Sequence, residues 1–202
     1  MITIGLTGSI AMGKSTVARI FSSAGLPCFD SDQIVHQIYE DPRAVNAIEG
    51  EFPGATANGI VDRKELSAKV WNNSDALSRL EDIVHPLVAM RRAAFVHKAK
   101  LAGLSFIVLD IPLLFETKAA ATVDVIIVVS ATAEIQRARA LARPGMTEDR
   151  LNSILRRQWP DALKRRNAHR VIDTTRSSDR TIAQVYQFRR CLWSKTGKSG
   201  TL

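Results

Sequence analysis

Eight residues near the start of the chain, "GSIAMGKS" from Gly8 to Ser15, have the types and spacing of a phosphate cradle. Two glycines bracket four residues, and a lysine and a hydroxyl follow the second. Backbone N–H groups of such a loop, and of a helix starting at its end, converge on phosphate oxygens. Lys14 has the reach for β- and γ-phosphates, and the Ser15 hydroxyl can ligate magnesium. Gly13 lets the backbone come close to a ligand. The tail segment "TGKSGT" repeats Gly-Lys-Ser but lacks the first glycine and a preceding apolar run, so it reads as tail.

A phosphate loop names a ligand, not a reaction. In "PCFDSDQIVHQIY", Asp30 and Asp32 follow a short apolar run. If the segment is extended, alternate residues face one side, and one or both carboxylates point into a cleft beside the loop. An aspartate there can accept a hydroxyl proton and align the nucleophile. The plainer alternative is that Asp32 caps a helix beginning near Gln33. In "FIVLDIPLLFE", Asp110 ends an apolar run and is placed to hold magnesium through a bound water, while "IPLLFE" is either core packing or a wall that covers ligand. Arg137, Arg139, Arg143, Arg150, Arg156, Arg157, Lys164, Arg165, Arg166 and Arg170 outnumber Glu148, Asp149 and Asp161. Arginines closing over a moving phosphoryl group would offset its charge and exclude water. A solvated helical face explains most of them equally well.

These groups need elements to position them. Apolar runs bounded by turn signals predict strands at 2–7, 26–29, 105–110, 123–129 and 170–173. Helical periodicity predicts helices at 14–24, over 75–102 with Pro86 kinking or dividing it, from Glu148 behind a Thr147 cap to a break at Pro160, and at 178–193. Leu77, Leu80, Val84, Leu87 and Phe95 would face inward in the second of these, with Gly103 as its stop. The last would bury Ile182, Val185, Tyr186 and Leu192. Strands alternating with helices predict an α/β fold with a mainly parallel sheet. The expected core comprises 1–31, 104–135 and 169–193, with a helical insert at 32–103, a basic helical lid at 136–168 and a flexible tail at 194–202.

Size and composition narrow the class. The chain has 202 residues, 46% of them hydrophobic and 24% charged, which suits one sizeable globular core. No run approaches the roughly 18 apolar residues of a membrane span, and no basic segment precedes the first apolar run, so a cytoplasmic protein is expected. Cys28 and Cys191 have no metal-ligand spacing and read as buried thiols; the four histidines form no zinc motif. A net charge of +8 attracts polyanions. The motifs leave open a nucleotide-dependent kinase, including a nucleoside or nucleoside-monophosphate kinase, and a non-catalytic nucleotide or nucleic-acid binding module. Only 6% of residues are aromatic, which disfavours single-strand recognition by stacking.

Taken together, "IGLTGSIAMGKSTVA", "FDSD", "LEDIVHPLV", "DIPLLFE" and "QRARALAR" resemble the dephospho-CoA kinase family across about residues 2–193. The resemblance implies a three-layer P-loop kinase core with a parallel sheet, a helical substrate-binding insert and a helical lid. It implies phosphorylation of the ribose 3′-hydroxyl of dephospho-CoA, the last step of coenzyme A synthesis, with magnesium ATP. By the same resemblance, Asp32 is the base and Lys14 and Arg139 join it in transfer. Gly8, the segment Ala11, Met12, Gly13, Lys14, Ser15 and Thr16, and Arg139 bind ATP. Asp32, Arg63, His85 and Leu113 belong to the acceptor side, and Ser15 and Asp110 to magnesium. The expected partners are these two small molecules, with neither nucleic acid nor membrane, and the expected state is a monomer or small homo-oligomer.

The chain departs from the family pattern at several places. Ser9, Ala11 and Met12 stand in a loop that usually reads "GGIGSGKS", and a φ above zero would cost Ala11 energy that glycine avoids. "DTTRSS" stands where relatives often carry Asn-x-Gly near the adenine, and Pro144 replaces an acid after Arg143.

Overall fold

The computed structural model describes residues 1–71 and 73–196. In chain order it contains β1 (Ile2–Thr7), α1 (Lys14–Ser23), β2 (Cys28–Asp30), α2 (Ser31–Ile38), α3 (Pro42–Glu51), β3 (Thr56–Ala57), β4 (Ile60–Val61), α4 (Arg63–Val70) and α5 (Ser74–Leu101). Then follow β5 (Phe106–Asp110), β6 (Val125–Ser130), α6 (Ala133–Leu141), α7 (Glu148–Arg157), α8 (Asp161–Arg166), β7 (Arg170–Asp173) and α9 (Ser178–Thr196). Residues 197–202, most of the expected tail, lie outside the described residues, whereas Ser194–Thr196 continue α9.

Five strands form one sheet in the order β2-β5-β1-β6-β7. β1 pairs parallel with both β5 and β6, with Ile4 opposite Val108 and Val125, and β6 pairs parallel with β7. The central strands are uninterrupted apolar runs because both faces are covered. Ile4, Leu6, Val108, Ile127 and Val129 pack with Val17 and Phe21 of α1 and Val185 of α9. On the other face, Leu114 and Val123 lie against Gly5. This order places the C-terminal ends of β1 and β5, hence Thr7 and Asp110, beside one another at one end of the sheet.

The chain divides into two compact units, 30–102 and the remainder. The former has a core of its own, in which Leu80 and Val84 of α5 meet Val45, Ile48, Val61 and Leu66. Pro86 lies inside α5, which continues as one helix through Leu101 rather than dividing. A proline removes one N–H bond from the ladder, and the helix is packed on both sides of it, with Val84 before Pro86 and Val88 after it against the core of this unit. The helix is followed by Gly103 at φ 67.

The buried stripe of α9 differs from the periodic guess. Ile182 and Tyr186 are exposed, whereas Thr181, Val185 and Leu192 are buried, with Phe188 packed against the core. Two stripes fit a helical period here, and the sheet selected the one bearing Phe188, which meets Phe21 edge-on at 6.2 Å. The thiols are both free, but not buried as expected: Cys28 is half-buried and Cys191 is exposed.

Candidate active site

β1 delivers the chain into the loop 8–13, and α1 begins at Lys14. A Cβ on Gly8 would lie 2.5 Å from the Val129 carbonyl oxygen, so only glycine fits against β6. Gly13 sits at φ 91 as the N-cap of α1, a position that lacks any side-chain cap, and no acid stands in the first turn. An uncapped helix N-terminus with this polarity favours an anion. Ser15 and Thr16 occupy that first turn.

The loop is fastened from several sides. Ile10 donates its N–H to Gln158 at 3.0 Å and its carbonyl accepts from the Gln136 amide at 2.9 Å. The Ala131 N–H points at Met12 Sδ at 3.0 Å. Ala11, buried against Ala140 and Leu151, stands at φ 62. The alanine therefore adopts the left-handed conformation that costs a side-chain-bearing residue about 1–2 kcal/mol, and its methyl is used in packing. The apolar Ile10 and Ala11 of this loop thus have a structural reason: they seat it on α6 and α7.

Thr174 completes the cradle. Its hydroxyl donates to the Met12 carbonyl at 2.7 Å, and its side chain lies against Gly13 so closely that a Cβ there would meet it at 3.1 Å. Arg139, on α6, donates from Nη1 to the Thr174 hydroxyl at 3.0 Å and from Nη2 to the Thr174 carbonyl at 2.7 Å. Sequence reasoning placed Arg139 but missed Gln136, Gln158 and Thr174. The departure "DTTRSS" marked the position of the last; no local signal marks the two glutamines.

Asp110 ends β5 almost wholly buried and pairs with Lys14 Nζ at 2.5 Å. Beyond it, Ile111, Leu114 and Phe115 are buried, so most of "IPLLFE" is packing, while Leu113 is exposed. Phe115 stacks on Trp159 with centroids 5.3 Å apart. Glu116 accepts the Trp159 N–H at 2.7 Å and pairs at 2.8 Å with Lys164, which is fully buried on α8. Burial raises the Glu116 carboxyl pKa, but the Lys164 ammonium and the Trp159 amide outweigh it and hold the group below the ordinary glutamate range.

In the helical unit, the cap of α2 is Asp30, whose carboxylate accepts the Gln33 N–H at 3.0 Å. Asp32 is not the cap, and it stands in the first turn of a helix rather than on an extended segment, because the Asp30 cap starts α2 at Ser31. Asp32 lines a cavity of about 250 Å³ with Val35, His36, Tyr39 and Arg63. Arg63 Nη1 lies 3.2 and 3.3 Å from the two ring nitrogens of His36. Burial raises the Tyr39 pKa and the Arg63 charge partly offsets it. His85 is exposed on α5 and is not among the residues lining this cavity.

Residues 2–179 match the family model described as Dephospho-CoA kinase. A curated dephospho-CoA kinase of Nitrobacter winogradskyi is 51% identical over 185 residues, 92% of each chain. Among solved structures, TT1252 from Thermus thermophilus superimposes with a TM-score of 0.77 at 31% identity, covering 94% of this chain and 96% of that one. A dephospho-CoA kinase from Campylobacter jejuni does so at 0.72 and 24% identity over 96% and 98%, which bears on the fold. With the fastened phosphate loop, its lysine and the parallel sheet that carries them, this chain belongs to the dephospho-CoA kinase family.

Proposed function

We propose that the chain transfers the γ-phosphoryl group of magnesium ATP to the ribose 3′-hydroxyl of dephospho-CoA, giving CoA and ADP. The observation that carries this reading is that Asp30 takes over the capping of α2 and leaves Asp32 lining a cavity with Arg63 and His36. In the reaction, Asp32 accepts the 3′-hydroxyl proton as the ribose oxygen bonds to the γ-phosphorus. The bond from that phosphorus to the bridging oxygen of ADP breaks. Lys14 and the N-terminus of α1 bind the phosphates, and Arg139 offsets charge on the moving group.

Ser15 and Asp110, the latter through water, would hold magnesium. They fit, because this ion takes one or two protein oxygens and completes its shell with phosphate and water. When bound, it would supply positive charge to offset that of the phosphates. Arg63 and Leu113 stand on the acceptor side in this reading, as does His85 through the exposed face of α5. The +8 charge serves anionic small molecules rather than nucleic acid, and the free thiols suit the reducing cytoplasm. Among the described residues no helix is long and apolar enough to cross a membrane.

The test is CoA formation by the purified protein with magnesium ATP, against a panel of nucleosides and nucleoside monophosphates. Asp32→Asn is expected to lower kcat by at least about a hundredfold with ATP affinity unchanged. Faster turnover of a simple nucleotide, or an active Asp32→Asn, would refute the proposal.

A further inference from the structure

Asp32, Val35, His36 and Tyr39 are spaced i, i+3, i+4 and i+7 along α2 and its C-terminal cap. They therefore share one helix face, with about 5–6 Å between neighbours one turn apart. That face forms a wall of the cavity of about 250 Å³, and Arg63 enters it as the first residue of α4. The Asp62 carboxylate accepts the Lys64 and Glu65 N–H groups and fixes where α4 begins, hence where Arg63 stands. Arg63 Nη1 lies over the His36 ring, 3.2 and 3.3 Å from its two nitrogens, and among the described residues no carboxylate pairs with the guanidinium. An arginine in a cavity, set by a ring and not by an anion, is pre-shaped for a phosphoryl group.

The cavity thus has two polar ends one helical turn apart. A carboxylate stands at one and a guanidinium with an imidazole at the other, with Val35 beside His36 and Tyr39 one further turn along the same face. A ribose has the matching chemistry: its 3′-hydroxyl and its 5′-phosphoryl oxygen lie on opposite sides of one ring. We propose that His36 and Arg63 together read the 5′-diphosphate of the acceptor, so that the Asp32 end receives the 3′-hydroxyl. This rests on the acceptor assignment made above and adds what discriminates dephospho-CoA from an unphosphorylated nucleoside. Placed the other way, the diphosphate would meet the Asp32 carboxylate and be repelled.

The experiment uses the full chain at saturating magnesium ATP. It measures KM for dephospho-CoA and competitive inhibition constants for ADP-ribose, which carries the diphosphate, and adenosine, which does not. His36→Ala and Arg63→Ala are each expected to raise KM for dephospho-CoA and Ki for ADP-ribose about tenfold or more. The adenosine Ki should stay within about twofold. His36→Gln, which keeps a polar group at the same place, should recover part of the loss. An equal rise for both inhibitors would mean that the pair only braces α2 against α4, and no rise for ADP-ribose would remove the diphosphate from this end; either result overturns the proposal. Absence of dephospho-CoA turnover in the unaltered chain would instead refute the acceptor assignment.

Discussion

Thr174 carries more of the phosphate cradle than any signal in its sequence context suggests. Its hydroxyl donates to the Met12 carbonyl and accepts from Arg139, so one buried oxygen ties the loop to the arginine. Thr174→Val keeps the shape but leaves the Met12 carbonyl without this donor. Loss of about 1–3 kcal/mol of stability is expected, read by chemical denaturation. Turnover should fall about tenfold, whereas Thr174→Ser should retain most of it. The effect on kcat should be non-additive with Arg139→Lys, since both act through one contact. Additive losses would show that Thr174 does not position the arginine.

At the scale of elements, the pairing of Glu116 with Lys164 joins the segment after β5 to α8. Removing one partner of a buried pair costs about 3–5 kcal/mol, because the other charge is left unmatched. Glu116→Gln is therefore expected to be strongly destabilising, and a folded fraction of the variant should show a changed acid limb. Folding depresses the Glu116 pKa, so its contribution is present above the unfolded-state value and is lost as pH falls through the folded-state value. Thermal stability of the unaltered chain should thus drop between about pH 4.5 and lower values by an increment that Glu116→Gln lacks. Parallel acid profiles for the two proteins would contradict this. Elements also bear on two sequence expectations. Of the two outcomes expected at Pro86, division does not occur, and Val84 and Val88 pack on either side of it, while α9 turns its Thr181, Val185, Phe188 and Leu192 side inward, where Phe188 meets Phe21.

For the whole molecule, each unit carries one part of the proposed chemistry, so ligand-linked stability should separate them. A ligand at a hundred times its dissociation constant adds about 2.7 kcal/mol to the unfolding free energy. Magnesium ATP and dephospho-CoA should each raise the melting temperature of the unaltered chain. In Lys14→Ala the ATP shift should vanish while a dephospho-CoA shift remains. Loss of both shifts would indicate that the lysine supports the fold rather than the nucleotide alone; its partner Asp110 is almost wholly buried.

The sequence by itself determined the five strands of the main sheet, the phosphate loop and the family, because these depend on local patterns, but not the short β3–β4 pair. An apolar run buried on both faces, a glycine-bracketed loop ending in Lys-Ser and a Thr cap before acids read the same in any context. It did not determine which of Asp30 and Asp32 caps α2, since either carboxylate serves a helix start and only the exact first turn decides. Nor could it show Ala11 at φ 62, or Gln136, Gln158 and Thr174 fastening the loop across 126, 148 and 162 positions of chain. Those contacts have no sequence periodicity. They exist only once β1, β6 and β7 lie side by side and bring distant backbone atoms within hydrogen-bond reach.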